Sequence, residues 1–350
     1  MIKYKFVLIL VFLLVFVLDA NPIIFYSTSD PSHNTTEPTK ELVNSGWDLQ
    51  GKWGEFTGIP IASQFFITVQ HVGLYDTFLL NGITYSVQLF IDDWQSDLRI
   101  VKINETFPKF AQLYESQDEK GKNTVVFGRG VVRGLDVIVN NKLKGWTWNN
   151  YGENLRWGEN IVDDIIITYS GVDVLKMTFN PQKNTDVMSF SRGDSGGGVF
   201  IKQDNIYKLA GINYVTDGPY SFNNLGDNVI AGSIFDETEL YKYDKTGWSR
   251  IIAPSIGSSY AIRISFRINW IKRVLEWYST DPIPVLQSSL SLDGQYMDEP
   301  NILIDPVNQI VAIPLPLETM FFRLKSEKSL RIISMMVNNN LLMFSYKKSL

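Results

Sequence analysis

Cysteine is absent from the 350-residue sequence, and histidine occurs only twice, as His33 and His71. The absence of cysteine excludes a disulfide, a thiolate nucleophile and a cysteine-bound zinc ion. The sequence also lacks a phosphate-binding glycine loop and the histidine–carboxylate spacing of a metal site. We therefore expect no cofactor and no metal, and a histidine base has only two candidates.

The chain has no excess of positive charge, because 32 lysines and arginines face 37 aspartates and glutamates, a net charge of −5. This balance argues against nucleic acid as a partner. Apolar residues make up 45% of the sequence and aromatic residues 13%, which is typical of a globular protein with a large β-rich core. The length suits one large domain, or one domain with a small second one.

Long hydrophobic runs are scarce, and the clearest is "FVLILVFLLVFVL" (6–18), which follows Lys3 and Lys5. This run is too short to cross a bilayer comfortably, whereas a positive start before such a run is the pattern of a secretory signal peptide. We predict a signal peptide over residues 1–20 and a secreted protein, extracellular or periplasmic, with no other membrane association. An uncleaved anchor is the alternative.

Most of the remaining chain predicts strands. Short segments rich in Val, Ile, Thr and aromatic residues are separated by Gly, Asn and Asp at intervals of about ten residues. The segments are 59–72, 83–91, 98–103, 124–132, 135–141, 160–170 and 174–179. This spacing indicates an all-β fold, built as an antiparallel barrel or sandwich rather than a βαβ sheet.

One segment, 260–278, has helical periodicity. Its apolar face would carry Ile264, Ile268, Ile271, Leu275 and Tyr278. The proline-containing segment 279–287 then predicts a boundary. We expect a main domain over residues 21–280 and a small β-rich accessory module over 281–350, with a hairpin turn at "VNNN" (337–340). We interpret this module as a passive accessory or docking unit, and the sequence leaves the oligomeric state open.

The segment "FSRGDSGGGVF" (190–200) places Ser195 among four glycines. A serine hydroxyl is a weak nucleophile and needs a neighbouring base, usually a histidine oriented by a carboxylate. His71 is the better base because it closes the apolar segment "QFFITVQHV", whereas His33 lies in a polar, turn-rich stretch. Asp97 opens the strand-like "DLRIVKI" and is our candidate for the carboxylate, with Asp92 and Asp93 as rivals.

Three blocks, "ITVQHV" (67–72), "SDLRIVKI" (96–103) and "GDSGG" (193–197), resemble the signatures of the trypsin-like, chymotrypsin-fold serine proteases, and they occur in that family's order. Secreted bacterial members with a small C-terminal β module are the most similar in pattern. The resemblance implies two antiparallel six-stranded β-barrels with an active site between them, followed by a helix. It also implies that Ser195 is the nucleophile, His71 the general base and Asp97 its orienting carboxylate.

The same resemblance assigns the oxyanion hole to the backbone N–H groups of Gly193 and Ser195. It places Ser189 at the base of the primary substrate pocket, where an uncharged residue favours an apolar or aromatic substrate side chain. Tyr214 and Thr216 would lie on the cleft strand that binds the substrate backbone.

The sequence departs from the family at three places. Gln70 stands where a small residue usually precedes the histidine, and no activation sequence of the "IVGG" kind is present. The partner of Asp194 is therefore open, with Arg192 as one suggestion. The family's "SWG" cleft strand is here Tyr214, Val215 and Thr216.

A tryptophan-rich segment could bind a peptide or a sugar through Trp146, Trp148, Trp157 and Arg156. Core packing is the simpler interpretation of these residues.

These features predict a secreted serine endopeptidase that acts on protein or peptide substrates through an acyl-enzyme. The alternative is a catalytically inactive binding or adhesion protein with a protease fold.

Overall fold

The fold is taken from a computed structural model. It describes residues 23–151, 154–168, 170–183, 186–280, 285–299, 302–305, 309–316, 318, 320–325, 330–338 and 340–348. The predicted signal peptide lies outside these residues. In the described part of the chain, no helix is long and apolar enough to span a membrane.

Strands dominate the regular structure. Up to residue 167 they are β1 (Ile24–Phe25), β2 (Gly51–Trp53), β3 (Phe56–Ala62), β4 (Phe65–Val69), β5 (Thr77–Leu80), β6 (Ile83–Asp92), β7 (Leu98–Ile103), β8 (Asn123–Gly128), β9 (Val131–Val139), β10 (Lys142–Tyr151), β11 (Arg156–Ile161) and β12 (Asp164–Ile167). Up to residue 263 they are β13 (Asp173–Thr178), β14 (Met188–Ser189), β15 (Gly198–Gln203), β16 (Ile206–Thr216), β17 (Tyr220–Ser221), β18 (Gly232–Ile234), β19 (Tyr241–Asp244), β20 (Gly247–Arg250) and β21 (Ser258–Arg263).

The helix α1 (Ile264–Thr280) follows β21. The last strands are β22 (Val285–Ser289), β23 (Met297–Asp298), β24 (Leu303–Asp305), β25 (Ile310–Pro314), β26 (Phe321–Lys325), β27 (Leu330–Asn338) and β28 (Leu341–Lys348). Short 3₁₀ helices cover Lys40–Leu42, Trp47–Leu49 and Gln70–Val72.

A closed antiparallel barrel has six strands in the order β2-β3-β4-β7-β6-β5. The pairing of β2 with β5, at Lys52 opposite Leu79, closes it. Aromatic rings fill its interior: Phe66 stacks on Phe78 with ring centroids 4.1 Å apart, and Trp53 meets Phe66 edge to face at 5.1 Å. Because alternate side chains of every strand point inwards, a barrel of this size is filled by its own residues. The predicted antiparallel barrel is confirmed here.

The apolar segment 59–72 contributes to two strands of this barrel rather than one. β3 ends at Ala62 and β4 begins at Phe65, opposite it in the ladder. The polar pair Ser63 and Gln64 forms the turn between them. A two-residue connection of this kind produces a tight hairpin. The mostly apolar composition of the segment did not indicate this turn.

The predicted second six-stranded barrel is replaced, in the described residues, by a seven-stranded sheet in the order β11-β8-β15-β16-β21-β13-β12. Its edge strands β11 and β12 are separated in sequence only by Val162 and Asp163, so the two edges of the sheet approach each other. A side chain links β11 to β13, the neighbour of the other edge, because Asn160 donates through Nδ2 to the carbonyl of Thr178 (3.2 Å). β10 pairs with both β9 and β18 in a separate three-stranded sheet, which does not extend this ladder.

The predicted C-terminal helix is present, but it begins at Ile264 instead of residue 260. Residues 260–263 belong to β21, which lies between β13 and β16, and sheet pairing there overrides helical periodicity. Of the predicted apolar face, Ile264, Ile271 and Tyr278 are buried. Trp270 and Val274 are buried as well, although the sequence pattern did not select them.

The residues after the helix form two small sheets, β23-β22-β26 and β24-β25-β28-β27. The predicted hairpin turn at "VNNN" is confirmed, since Asn338 pairs with Leu341 at the end of the β27–β28 ladder. Leu286, Val311 and Phe344 are buried in the same hydrophobic cluster that contains the barrel interior. These strands therefore pack on the main body and share its core.

Candidate active site

The barrel brings the candidate base and carboxylate to one end. His71 lies in the 3₁₀ helix directly after β4, and Asp97 directly precedes β7. β4 and β7 are antiparallel neighbours, with Val69 opposite Leu98. The residues just after β4 and just before β7 therefore lie at the same barrel edge.

His71, Asp97 and Ser195 form a continuous hydrogen-bonded chain. His71 Nε2 lies 2.8 Å from Ser195 Oγ, and His71 Nδ1 is hydrogen-bonded to Asp97 Oδ2. The exposed fraction is 40% for the His71 side chain and 19% for the Asp97 side chain. The imidazole thus reaches solvent, while the carboxylate behind it is largely covered. This geometry allows a proton to pass from the hydroxyl to the ring.

The two rival carboxylates are committed to other partners. Asp92 is buried and receives a bidentate pair from Arg99, with Nε at 2.6 Å and Nη2 at 2.8 Å. Asp93 accepts from Arg267 Nη2 on α1 (2.6 Å) and from Ser96 Oγ (2.6 Å). Both groups hold the turn between β6 and β7 in place, and neither contacts His71.

The serine loop is fitted against the barrel by its glycines. Gly196 has a φ of +80°, and a Cβ there would lie 2.0 Å from the carbonyl oxygen of Thr57 on β3. Thr57 in turn donates its N–H to the carbonyl of Ser195 (3.3 Å). Gly193 has a φ of +98°, and its Cβ would lie 2.9 Å from Gly130 Cα. Only glycine permits both the left-handed backbone and the close approach.

Asn213 fixes the same loop from behind, and sequence reasoning had not selected it. Its Nδ2 donates to the carbonyls of Phe127 (2.7 Å) and Asp194 (3.0 Å). Its own carbonyl accepts the N–H of Gly196 (3.0 Å). The side chain is fully buried on β16. A single amide thus joins β8, β16 and the serine loop.

The N–H groups of Gly193 and Ser195 have no hydrogen-bond acceptor among the described residues. Neighbouring N–H groups of the same loop do have acceptors, since Asp194 donates to the carbonyl of Ser191 and Gly197 donates to that of Asp194. Two backbone donors beside a nucleophile are the requirement for stabilising an oxyanion.

Asp194 is fully buried, and both of its carboxylate oxygens accept hydrogen bonds. Oδ1 accepts the N–H of Gly130 (2.8 Å), while Oδ2 accepts the N–H (2.7 Å) and the hydroxyl (2.9 Å) of Ser191. Burial raises the pKa of Asp194 to about 6, against the lowering effect of these hydrogen bonds and of the positive charge of Arg156. Arg192, the partner suggested by the sequence, has an exposed side chain.

The raised pKa of Asp194 predicts that the stability of the folded protein depends on pH. Its folded-state pKa of about 6 lies above its ordinary value of 3.8, so the folded chain holds this proton more tightly than the unfolded chain. The contribution of the proton to stability is complete below pH 3.8 and is lost as pH rises through about 6. Asp194→Asn removes this titration. We expect the unfolding free energy of the wild type, minus that of the variant, to fall across this window and then level off.

Urea unfolding of both proteins below, within and above the window measures this difference, and subtraction cancels the titration of groups that behave alike in both. A difference independent of pH would contradict the assignment of the raised pKa to Asp194.

Arg156 anchors the amino-terminal segment rather than a sugar or a peptide. Its guanidinium lies 4.6 Å from the ring centroid of Phe25 and donates to the carbonyls of His33 (2.7 Å) and Asp30 (3.1 Å). His33 Nε2 lies 2.9 Å from Asp186 Oδ1. The second histidine therefore holds the same segment.

A cavity of about 330 Å³ opens beside Ser195. Its lining includes Phe190, Trp148, Tyr214, Thr216 and Pro219. Both Tyr214 and Thr216, the predicted cleft-strand residues, are thus part of the cavity wall. Trp148, which sequence reasoning assigned mainly to core packing, is half-buried and forms part of the wall.

Ser189 is placed outside this lining. It is buried on β14, where it pairs with Ile24 of β1, and its hydroxyl donates to the carbonyl of Phe190 (3.2 Å). The sequence interval from Ser195 could not show that this position pairs with β1. Two aspartates contribute to the cavity wall: the buried Asp194, and Asp217, which receives Lys242 Nζ at 2.5 Å and the N–H of Ser258 at 2.9 Å.

The described residues contain no group of three or more His, Cys, Asp or Glu side chains able to hold a metal ion.

No protein-family model matches the chain, and no curated protein matches it. Many solved structures are similar to it, and two are described here. One is neuropsin, a serine protease expressed in the limbic system of mouse brain, with 14% identity, a TM-score of 0.44 and coverage of 67% of this chain and 98% of neuropsin. The other is an inactive mutant form of Rv3671c from M. tuberculosis H37Rv, with 12% identity, a TM-score of 0.39 and coverage of 71% of this chain and 98% of that one.

Proposed function

We propose that this protein is a serine endopeptidase of the trypsin-like, chymotrypsin-fold class, with Ser195 as nucleophile, His71 as general base and Asp97 as orienting carboxylate. The observation that carries the proposal is the hydrogen-bonded chain from Ser195 Oγ through both ring nitrogens of His71 to Asp97. These residues come from parts of the sequence up to 124 positions apart, so local turn chemistry does not account for their meeting.

The chemistry follows from the contacts. Ser195 Oγ attacks the carbonyl carbon of the scissile peptide bond while its proton passes to His71 Nε2. The resulting oxyanion is stabilised by the N–H groups of Gly193 and Ser195, each worth about 3 kcal/mol in a site of this kind. His71 then gives the proton to the leaving amine, and the C–N bond breaks to leave an acyl-enzyme on Ser195.

Hydrolysis reverses these roles. Water attacks the acyl carbon as His71 takes a proton from it, and the proton returns to Ser195 Oγ when the C–O bond breaks. Asp97 accepts the Nδ1–H throughout, which keeps Nε2 as the basic nitrogen and stabilises the charged ring.

The cavity favours an uncharged, apolar or aromatic substrate side chain. Its wall contains Trp148, Phe190 and Pro219. The carboxylate of Asp217 is already neutralised by Lys242 at 2.5 Å, and it also accepts from Tyr260 Oη at 3.2 Å. A basic side chain would lose its hydration here without gaining an unpaired carboxylate. We expect secretion to bring the enzyme to protein or peptide substrates outside the cytoplasm.

A peptide library with every residue type before the scissile bond tests this function. We expect cleavage to be fastest after Phe, Tyr, Leu or Met, and at least tenfold slower after Lys or Arg, because one well-buried apolar side chain contributes about 1.5–3 kcal/mol. Preference for Lys or Arg would contradict the assignment of the cavity. No cleavage of any peptide by folded protein would favour the alternative, an inactive binding protein with this fold.

A further inference from the structure

Gln70 is the first residue of the 3₁₀ helix after β4. Its half-buried side chain extends to the turn that carries Asp97. Its Nε2 lies 2.9 Å from the carbonyl oxygen of Asp93, 3.0 Å from that of Ser96 and 3.0 Å from that of Leu98. These carbonyls lie on both sides of Asp97 in the chain. One side-chain amide therefore contacts three carbonyls of the turn that holds the Asp97 carboxylate.

The main chain of Gln70 adds a direct link. Its N–H donates to the carbonyl of Asp97 itself (2.7 Å). Arg99 secures the other side of the histidine turn by donating through Nη1 to the carbonyl of Gly73 (2.7 Å). The backbone segments that carry His71 and Asp97 are thus held together by hydrogen bonds that involve neither of these two side chains.

The turn between β6 and β7 depends on this support. Residues 93–97 lie between the two strands and belong to neither, and the bond from the Gln70 N–H is the main-chain link at Asp97 described above. A carbonyl that loses its donor in a partly buried place pays a desolvation cost and moves towards water. A displacement of about 1 Å at a catalytic group can cost about 10²-fold in rate.

We propose that Gln70 is a positioning residue that holds Asp97 against Nδ1 of His71. The proposal rests on the function proposed above. It concerns a residue at which this chain differs from the family pattern, where a small side chain precedes the histidine.

The kinetic test compares Gln70→Ala and Gln70→Glu with the wild type, with rates expressed per active site titrated. The glutamate keeps the shape but loses both amide hydrogens. We expect kcat to fall between tenfold and a hundredfold in both variants, with KM unchanged, because the amide acts on the base and not on the substrate.

Gln64→Ala is the matched control. Gln64 belongs to the same barrel, and its Nε2 donates to the carbonyl of Asn104 (3.2 Å), far from the site in the ladder. We expect this variant to retain wild-type kcat. An equal loss in the Gln64 and Gln70 variants would mean that the amide only stabilises the barrel, and would overturn the proposal.

A double-mutant cycle tests whether Gln70 acts through Asp97. In an Asp97→Asn background, removal of the Gln70 amide should change kcat less than threefold, since the group that it positions no longer works. The full loss persisting in that background would overturn the proposal.

A spectroscopic measurement separates this inference from the proposed function. With only two histidines, the ring protons of ¹⁵N-histidine-labelled protein are assignable by comparison with His33→Ala. We expect a downfield Nδ1–H resonance from His71 in the wild type and in Gln64→Ala, and its loss to exchange in Gln70→Ala. If peptides are not cleaved but this pattern holds, only the proposed function fails. An unchanged resonance in folded Gln70→Ala overturns the positioning role.

Discussion

Replacing Ser195 or His71 with alanine should lower kcat for peptide hydrolysis by about 10⁶-fold, the loss expected when either the nucleophile or its base is removed from a triad. The reason is geometric: Oγ and Nε2 are 2.8 Å apart, and each is ineffective without the other. The double variant should be no slower than either single variant, because the two residues act as one unit.

The other histidine provides the control. His33 pairs with Asp186 at 2.9 Å and holds the amino-terminal segment, so His33→Ala should keep the wild-type rate per active site. A loss of similar size in His33→Ala, or hydrolysis that survives in Ser195→Ala, would contradict the assignment of the site. Steady-state kinetics with a peptide cleaved in the library experiment, combined with circular dichroism to verify folding, distinguishes these outcomes.

Asp97→Asn should lower kcat by about 10⁴-fold while KM stays unchanged. An asparagine amide at this position would donate to Nδ1 instead of accepting from it. The ring would then present a protonated Nε2 to Ser195, which cannot act as a base. The exposed Asp76 follows the same histidine turn and serves as the matched control, since Asp76→Asn should leave kcat unchanged.

The rival carboxylates give a different expected result. Removing the charge of Asp92 or Asp93 should lower the thermal midpoint, because each would leave a largely buried arginine partly unpaired, Arg99 or Arg267. A 10⁴-fold loss of kcat with no loss of stability in Asp93→Asn, together with a normal rate in Asp97→Asn, would move the catalytic role to Asp93.

The residues of the candidate triad could be proposed from the sequence because each one adjoins a recognisable local pattern. His71 ends a strand-like apolar segment, Asp97 begins another, and Ser195 lies in a glycine-rich loop. The barrel was predictable for a similar reason, since its strands are short, alternating and regularly spaced.

The remaining features depend on partners that are distant in sequence. Gln70 looks like an oversized residue until the carbonyls of residues 93–98 surround its amide. Asp194 has no evident partner until β8 and β9 bring Gly130 against it. Ser189 could be assigned to a pocket because nothing in the neighbouring sequence shows that it is buried and paired with β1. The seven-stranded sheet was missed because strand pairing, not strand character, decides where a sheet closes.

Covalent labelling with a fluorophosphonate probe, followed by mass spectrometry of the intact and digested protein, tests the central claim most directly. Ser195 is expected to attack phosphorus through Oγ, displace fluoride and retain one probe molecule per chain, with the adduct on the peptide that contains "GDSGG". Ser195→Ala and His71→Ala should remain unlabelled. Folded wild-type protein that stays unmodified at neutral pH, or an adduct that persists in Ser195→Ala, would contradict it.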